Sequence, residues 1–269
     1  MIALWGAKAA AVIESEIDAR LARIAAGGGT VRIALFRAAV RDDCLQYEQQ
    51  ILTRCYALGV AVEAQFFVTE AALKDALCRA AADAAVDGIL LLRPLPKSWD
   101  TAALTACIPP SMDLDGARGA DSAFVPCTAE SCLRLLAAYG YSVAGQRCVV
   151  IGRSETVGAP LAGLLQSVGA DVMVCHSQTD TIRTVTRQAK YLFAACGVPK
   201  LIDASYVSAG QVVLDVGFHR VQDGFCGDVD AASVAPVVGA LSPVPRGVGT
   251  VTLPTLLLHG VLAYERKHL

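Results

Sequence analysis

No apolar run in the chain approaches the roughly 18 to 20 residues that would span a bilayer, although hydrophobic residues fill 54% of its 269 positions and mean hydropathy is +0.48. A soluble protein with much of its sequence inside, and with no membrane partner, is expected. The stretch "MIALWGAKAAAVIESEIDAR" lacks a basic flank before its apolar part and meets Glu14 and Glu16 early. It therefore reads as an amphipathic helix and not as a signal peptide. Basic runs are missing too, and the formal net charge is −2, which argues against nucleic acid as the main partner. The ten cysteines include no CxxC pair and sit singly in contexts such as "RCVVIG" and "VMVCHS", so they read as small core residues of a protein in a reducing cytoplasm. His176, His219, His259 and His268 form no HxxxH pair or Cys/His cluster, and a structural metal is not expected. There is no internal repeat or low-complexity segment.

What is present is an alternation. Short β-branched runs ("TVRIALF", "AVEAQFF", "DGILLLR", "RCVVIG", "DVMVCH", "YLFAAC", "QVVLDVG") are separated almost throughout by Ala/Leu-rich helical stretches. This predicts an α/β fold with largely parallel strands buried on both faces. The length suits two modest domains. Gly, Asp and Pro gather in "DLDGARGADSAFVP" before a new βαβ pattern, and again in "SPVPRGVGTVT" before the closing helix "LPTLLLHGVLAYERK". Two domains are predicted: residues 1–122 plus 251–269, the closing helix returning to the first half, and residues 123–250, a Rossmann-like dinucleotide-binding half.

The stretch "RCVVIGRSETVGAPLAGLLQSVGADVMVCHS" runs from a buried strand through a loop bounded by Gly152 and Gly158 into a helix and a second strand. Glycine allows close backbone approach to a phosphate, and a helix N-terminus offers unpaired N–H groups to an anion. The spacing is neither GxGxxG nor a P-loop, so an ordinary strand-to-helix turn is the alternative. The second strand ends "CHSQTD", with Ser177 and Thr179 and without a carboxylate at its tip, and Arg153 lies in the loop. This suits a ribose 2′-phosphate, hence NADP, with NAD as the alternative cofactor. A solvated surface role is the other reading of Arg153.

"VVIGRSETVGAPLAGLL", "CHSQTD", "VVLDVGFHR", "GDVD", "FVPCTAE", "PLP", "DLDG" and "SPVPRGVGTVT" occur in the order and approximate spacing that resemble the FolD family, the methylenetetrahydrofolate dehydrogenase/cyclohydrolases. The resemblance runs nearly end to end. It implies two α/β domains with a cleft between them, a tetrahydrofolate-type substrate in the cleft, a dinucleotide on the C-terminal domain and a homodimer. By position it places Gly152, Arg153, Ser154, Gly158, Ser177, Thr179, Gly197, Phe218 and Thr252 at the cofactor. Tyr47, Leu92, Asp115, Pro245 and Gly247 fall on the folate side.

In this family one helix carries Tyr-x-x-x-Lys, the tyrosine stacking on the pterin and the lysine acting as acid/base. Here "LQYEQQILTRCYALGV" aligns Tyr47 and puts Ile51 at the lysine position. An alkyl group can neither move a proton nor stabilise developing charge. Leu92 stands where the family usually has glutamine and Met112 where it usually has lysine. Arg93, Arg54 and Lys97 are the nearest cations in sequence, but Arg93 should face the opposite side of its strand from Leu92. Asp115 is the strongest surviving ionisable candidate, with turn capping in "DLDG" as its bland alternative. Arg246 replaces a glycine, Thr250 a proline, Ala129 a proline and Cys44 a serine of the family pattern. The expected activity is NADP-dependent oxidation of 5,10-methylenetetrahydrofolate with cyclohydrolase weak or lost. The alternatives are a catalytically silent paralogue that binds a dinucleotide or a partner, and an oxidoreductase for another substrate.

Overall fold

The computed structural model describes residues 1–222 and 224–269, with the side chain of Asp43 also left aside. In chain order its elements are β1 (Ile2–Ala3), α1 (Gly6–Ala26), β2 (Arg32–Arg37), α2 (Asp42–Leu58), β3 (Ala61–Phe66), α3 (Glu70–Ala82), β4 (Gly88–Leu91), α4 (Thr101–Ala106), α5 (Cys127–Ala138), β5 (Arg147–Ile151), α6 (Gly158–Ser167), β6 (Asp171–Cys175), α7 (Ile182–Gln188), β7 (Tyr191–Ala194), β8 (Val212–Asp215), β9 (His219–Val221), β10 (Gly224–Cys226), α8 (Ala231–Val234), β11 (Ala240–Leu241) and α9 (Gly249–His268). All seven predicted strands are present. The two-residue strands β1 and β11 and the β9–β10 pair are additional. They are too short to show a periodicity in sequence.

The chain divides into two compact units, Met1–Val12 with Pro126–Thr255, and Ile13–Val125 with Leu256–Leu269. This differs from the expected division at the N-terminus. The first twelve residues belong with the nucleotide-binding half because β1 pairs with β11 in parallel, Ile2 opposite Ala240.

In the second unit β2 lies between β3 and β4, all parallel. Ala34 and Phe36 of β2 alternate onto the same face as Ile89 and Leu91 of β4. They pack against Leu73, Ala76, Leu77 and Ala80 of α3, with Leu104, Ile108 and Met112 completing the cluster. The α3 residues recur at i, i+3, i+4 and i+7, one helical face. Thr69 caps this helix by accepting the Ala72 N–H. Burying each leucine contributes about 1.5 to 3 kcal/mol, so Leu77→Ala in this cluster would remove more than any surface change.

The first unit holds a six-stranded sheet in the order β1-β11-β8-β7-β5-β6, every adjacent pair parallel. β7 and β8 are buried along their whole length, as is β5 after its first residue. The edge strands β3 and β6 depart from the prediction of burial on both faces: most of their residues are exposed, Met173 and Phe66 among them. A strand with one neighbour shares less of its surface with covering helices. Among the described residues no helix is long and apolar enough to cross a membrane.

Candidate active site

Sequence order in the six-stranded sheet reverses at β5, which has β6 on one side and β7 on the other. In open parallel sheets the ligand crevice lies outside the carboxyl ends of the strands at such a switch point. The loop after β5 and the turn after β7 meet there. Gly152 has φ +121°, and a Cβ on it would run into the carbonyl of Ala195. A Cβ on Gly158 would strike Gly152 in turn. Only glycine fits at either position, which explains the spacing that departs from the usual fingerprint.

The ten-residue helix α6 starts at Gly158, whose N–H donates to Ser154 Oγ at 3.2 Å. Arg153 and Ser154 are exposed on the loop. A glycine-only cradle and an exposed guanidinium beside the positive end of a helix suit the pyrophosphate and 2′-phosphate of a dinucleotide. Ser177 is exposed beyond β6, and Thr179 Oγ1 accepts the His176 N–H at 3.1 Å, so Thr179 also builds the turn that presents Ser177. Gly197 follows β7 at φ +70°. Phe218 is 60% exposed and stacks on Phe225 with ring centres 4.8 Å apart.

Pro245, Gly247 and Thr252 belong to the same unit as these cofactor candidates. Thr252 Oγ1 donates to the Gly249 carbonyl at 3.0 Å. Gly247 is buried where a Cβ would collide with Pro243, and Arg246 O accepts the Gly6 N–H at 2.8 Å. Arg246 itself adopts φ +79°, a left-handed conformation that a glycine would take without strain.

In the second unit Tyr47 is half-buried on α2, one turn before Ile51, which is 1% exposed, and two turns before Cys55, which is fully buried. Desolvation pushes the Cys55 thiol up to about 11. The face that begins at Tyr47 is therefore sealed core from Ile51 onward. Cys44 Sγ donates to the Arg93 carbonyl at 3.6 Å, which ties the start of α2 to the segment after β4. Leu92 is buried and continues β4 through its N–H bond to Phe36 O at 2.9 Å. Alternation turns its side chain away from the face holding Leu91 and Met112. Met112 thus lies in the α3/α4 cluster on the opposite face from Leu92.

The three neighbouring cations are placed elsewhere. Arg93 Nη2 reaches Thr105 Oγ1 of α4 at 3.2 Å, Arg54 pairs with Glu14 at 2.7 Å, and Lys97 is exposed. Asp113 caps the turn in "DLDG". The buried Asp113 carboxylate accepts the N–H groups of Ala117 at 3.0 Å and Arg118 at 2.8 Å. Asp115 is partly exposed at the turn they form.

Sequence reasoning passed over three features. Arg37 closes β2 and pairs with Glu48, the neighbour of Tyr47, at 2.5 Å while its guanidinium lies 4.6 Å from the Phe66 ring centre. A cation ending an apolar strand, "IALFR", was the available signal. His259 is buried against the residue before Asp115, and a lone histidine inside "TLLLHGVL" was the clue. Asp215, buried at the end of β8, accepts three backbone N–H groups, yet desolvation and the adjacent Asp228 push its carboxyl up to about 7.

A parallel nucleotide-binding sheet with a glycine-only loop at its switch point, joined to a smaller parallel α/β unit, defines a dinucleotide-dependent enzyme class of two α/β domains. The family profile described as tetrahydrofolate dehydrogenase/cyclohydrolase, catalytic domain, matches residues 4–115, and that of the NAD(P)-binding domain matches residues 126–268. The chain belongs to this family, the FolD family. It is 37% identical to the bifunctional protein FolD of Synechococcus sp. (strain CC9311), over 98% of this chain and 95% of that protein. With the Carboxydothermus hydrogenoformans FolD it shares 35%, over 97% and 96%. Among solved structures, the Campylobacter jejuni FolD superposes with a TM-score of 0.93 at 30% identity, covering 99% of both chains. The Trypanosoma brucei enzyme, complexed with NADP and an inhibitor, superposes at 0.91 with 28% identity, covering 99% of this chain and 98% of that one.

Proposed function

We propose that the chain is an NADP-dependent 5,10-methylenetetrahydrofolate dehydrogenase of one-carbon metabolism in which methenyltetrahydrofolate cyclohydrolase activity is weak or lost. It acts as a cytoplasmic homodimer. The observation that carries this reading is a pairing of opposites. The nucleotide loop keeps its glycine-only construction, while the position of the family's lysine is occupied by Ile51, 1% exposed.

The two reactions ask for different things. Bound NADP supplies the hydride acceptor, and hydride transfer depends chiefly on holding two ring systems at the right distance and angle, so positioning can carry much of it. In this reading the Gly152 loop, Arg153 and Ser177 hold the cofactor's phosphates. Tyr47 supplies the stacking surface for the pterin, and Asp115 is the ionisable group on the substrate. Opening the methenyl bridge requires a water to be activated and protons to be relayed. Neither Ile51 nor Leu92 offers a group that can do it.

The test is purified protein with methylenetetrahydrofolate and NADP+, followed for NADPH and methenyl product. Formation of both, with hydrolysis far slower than oxidation, is expected; absence of both sinks the reading. A silent paralogue is the second reading, favoured by the two apolar replacements at Ile51 and Leu92. Calorimetric titration separates them, since tight NADP binding with no folate binding supports silence, whereas folate binding that depends on Tyr47 supports the enzyme.

A further inference from the structure

Two buried carboxylates meet beside the nucleotide crevice, where the turn after β7, the segment after β8 and the segment after β10 come together. Asp228 is fully buried. One of its oxygens accepts the Gly197 N–H at 2.9 Å and the other lies 2.7 Å from His219 Nε2. Burial, and after it the charge of the same carboxylate, push the neighbouring Cys196 thiol up to about 12. Asp228 N–H donates at 2.9 Å to Asp215, which also holds the N–H of Val229 at 3.0 Å and of Gly217 at 3.1 Å. There is no slack in this arrangement, because a Cβ on Gly217 would run into the Asp228 carboxylate.

A buried carboxylate is tolerated only when its lone pairs are taken and its charge is matched. His219 meets Asp228 from the start of β9 with its side chain 19% exposed, so it covers the carboxylate from the solvent side. Gly197 is the residue through which this reaches the crevice. Its turn follows β7 on one side of the switch point, and Ala195, two residues earlier, touches Gly152 on the other.

We propose that His219 and Asp228 form a positioning pair that fixes the Gly197 turn and thereby sets the affinity for NADP. Neither residue contacts the cofactor in this scheme; the pair acts through the backbone it holds. The inference rests on the cofactor reading above and deepens it.

The experiment combines amide hydrogen exchange at Gly197 in cofactor-free protein with calorimetric NADP binding. In His219→Leu, exchange at Gly197 should speed up and NADP affinity fall, each by about tenfold or more, as expected when a hydrogen bond to a charged group is lost. His219→Gln keeps a donor and should restore both to within about threefold. A folded His219→Leu protein with both quantities unchanged overturns the proposal, and so does a glutamine variant as impaired as leucine. A merely structural role would lower the unfolding midpoint and leave the affinity of the folded protein alone. Should His219→Leu fail to fold, Asp228→Asn is read the same way, and unchanged exchange and affinity there are equally fatal. Wild-type protein that binds no NADP sinks the cofactor reading and the affinity claim with it, while the exchange data still decide whether the pair holds Gly197.

Discussion

His259 Nδ1 lies 2.7 Å from the carbonyl oxygen of Leu114, the residue immediately before Asp115. A carbonyl can only accept, so Nδ1 carries the proton. The ring is 2% exposed and stacks on Phe124 with centres 4.7 Å apart. His259→Leu keeps the volume and removes the donor, leaving a carbonyl without this partner. A loss of about 1 to 3 kcal/mol is expected, read from urea unfolding. The KM for methylenetetrahydrofolate should rise more than the KM for NADP, because the peptide released is the one that carries Asp115. Equal effects on the two would show that the bond serves the fold alone.

A lysine at position 51 should carry a stability penalty. Ile51 is 1% exposed, so Ile51→Lys places an ammonium among core side chains and should destabilise the chain by roughly 2 to 5 kcal/mol. Ile51→Met, which conserves volume, should stay within about 1.5 kcal/mol of wild type. Desolvation would also draw the new lysine's pKa down. Methenyl hydrolysis appearing in the lysine variant alone would locate the missing group, and a lysine tolerated without loss of stability would mean the site admits water.

Arg246 sits at φ +79° on an exposed loop. A non-glycine residue in the left-handed region carries about 1 to 2 kcal/mol of strain, part of which glycine gives back through chain entropy. Arg246→Gly should therefore raise stability by about 1 kcal/mol, roughly 2 to 4 °C in Tm for a chain of this size. A lower Tm would mean that the arginine side chain contributes more than its backbone costs.

Asp215 gives the protein a distinctive pH dependence. Burial and the neighbouring Asp228 raise its folded pKa to about 7 from an ordinary value of 3.8. Between those values the folded state holds a proton that the unfolded state releases. Stability from this group is thus fully present below about pH 4 and is lost as pH rises toward 7, a swing on the order of 4 kcal/mol. Asp215→Asn is less stable throughout because its amide faces backbone N–H donors, but it lacks the titration. Urea midpoints from pH 5 to 8 should show the gap between wild type and variant narrowing. A constant gap would mean that the carboxyl is already ionised at pH 5.

Much of this architecture was legible in sequence because its signals are local. A strand such as Cys148–Ile151 has to be apolar on both faces to lie in mid-sheet, and helix α3 writes its buried stripe at i, i+3, i+4 and i+7. The opposite facing of Leu92 and Arg93 followed from strand alternation alone, and Arg93 does reach Thr105 on the other side. Arg37 with Glu48, His259 with Leu114, and His219 with Asp228 were not legible. Each joins residues whose separation in sequence follows no period.

The sequence by itself determined the seven main strands, the family and the glycine-bounded loop after β5, because propensity, periodicity and motif order are properties of neighbouring residues. Tertiary structure alone decided that β1 joins the nucleotide-binding sheet, that Met112 and Leu92 face opposite ways, that Asp113 caps its turn, and that Asp215 and Asp228 share one buried site. Pairing, burial and charge at those positions depend on which distant segments pack together. That choice is made by the burial of the whole chain.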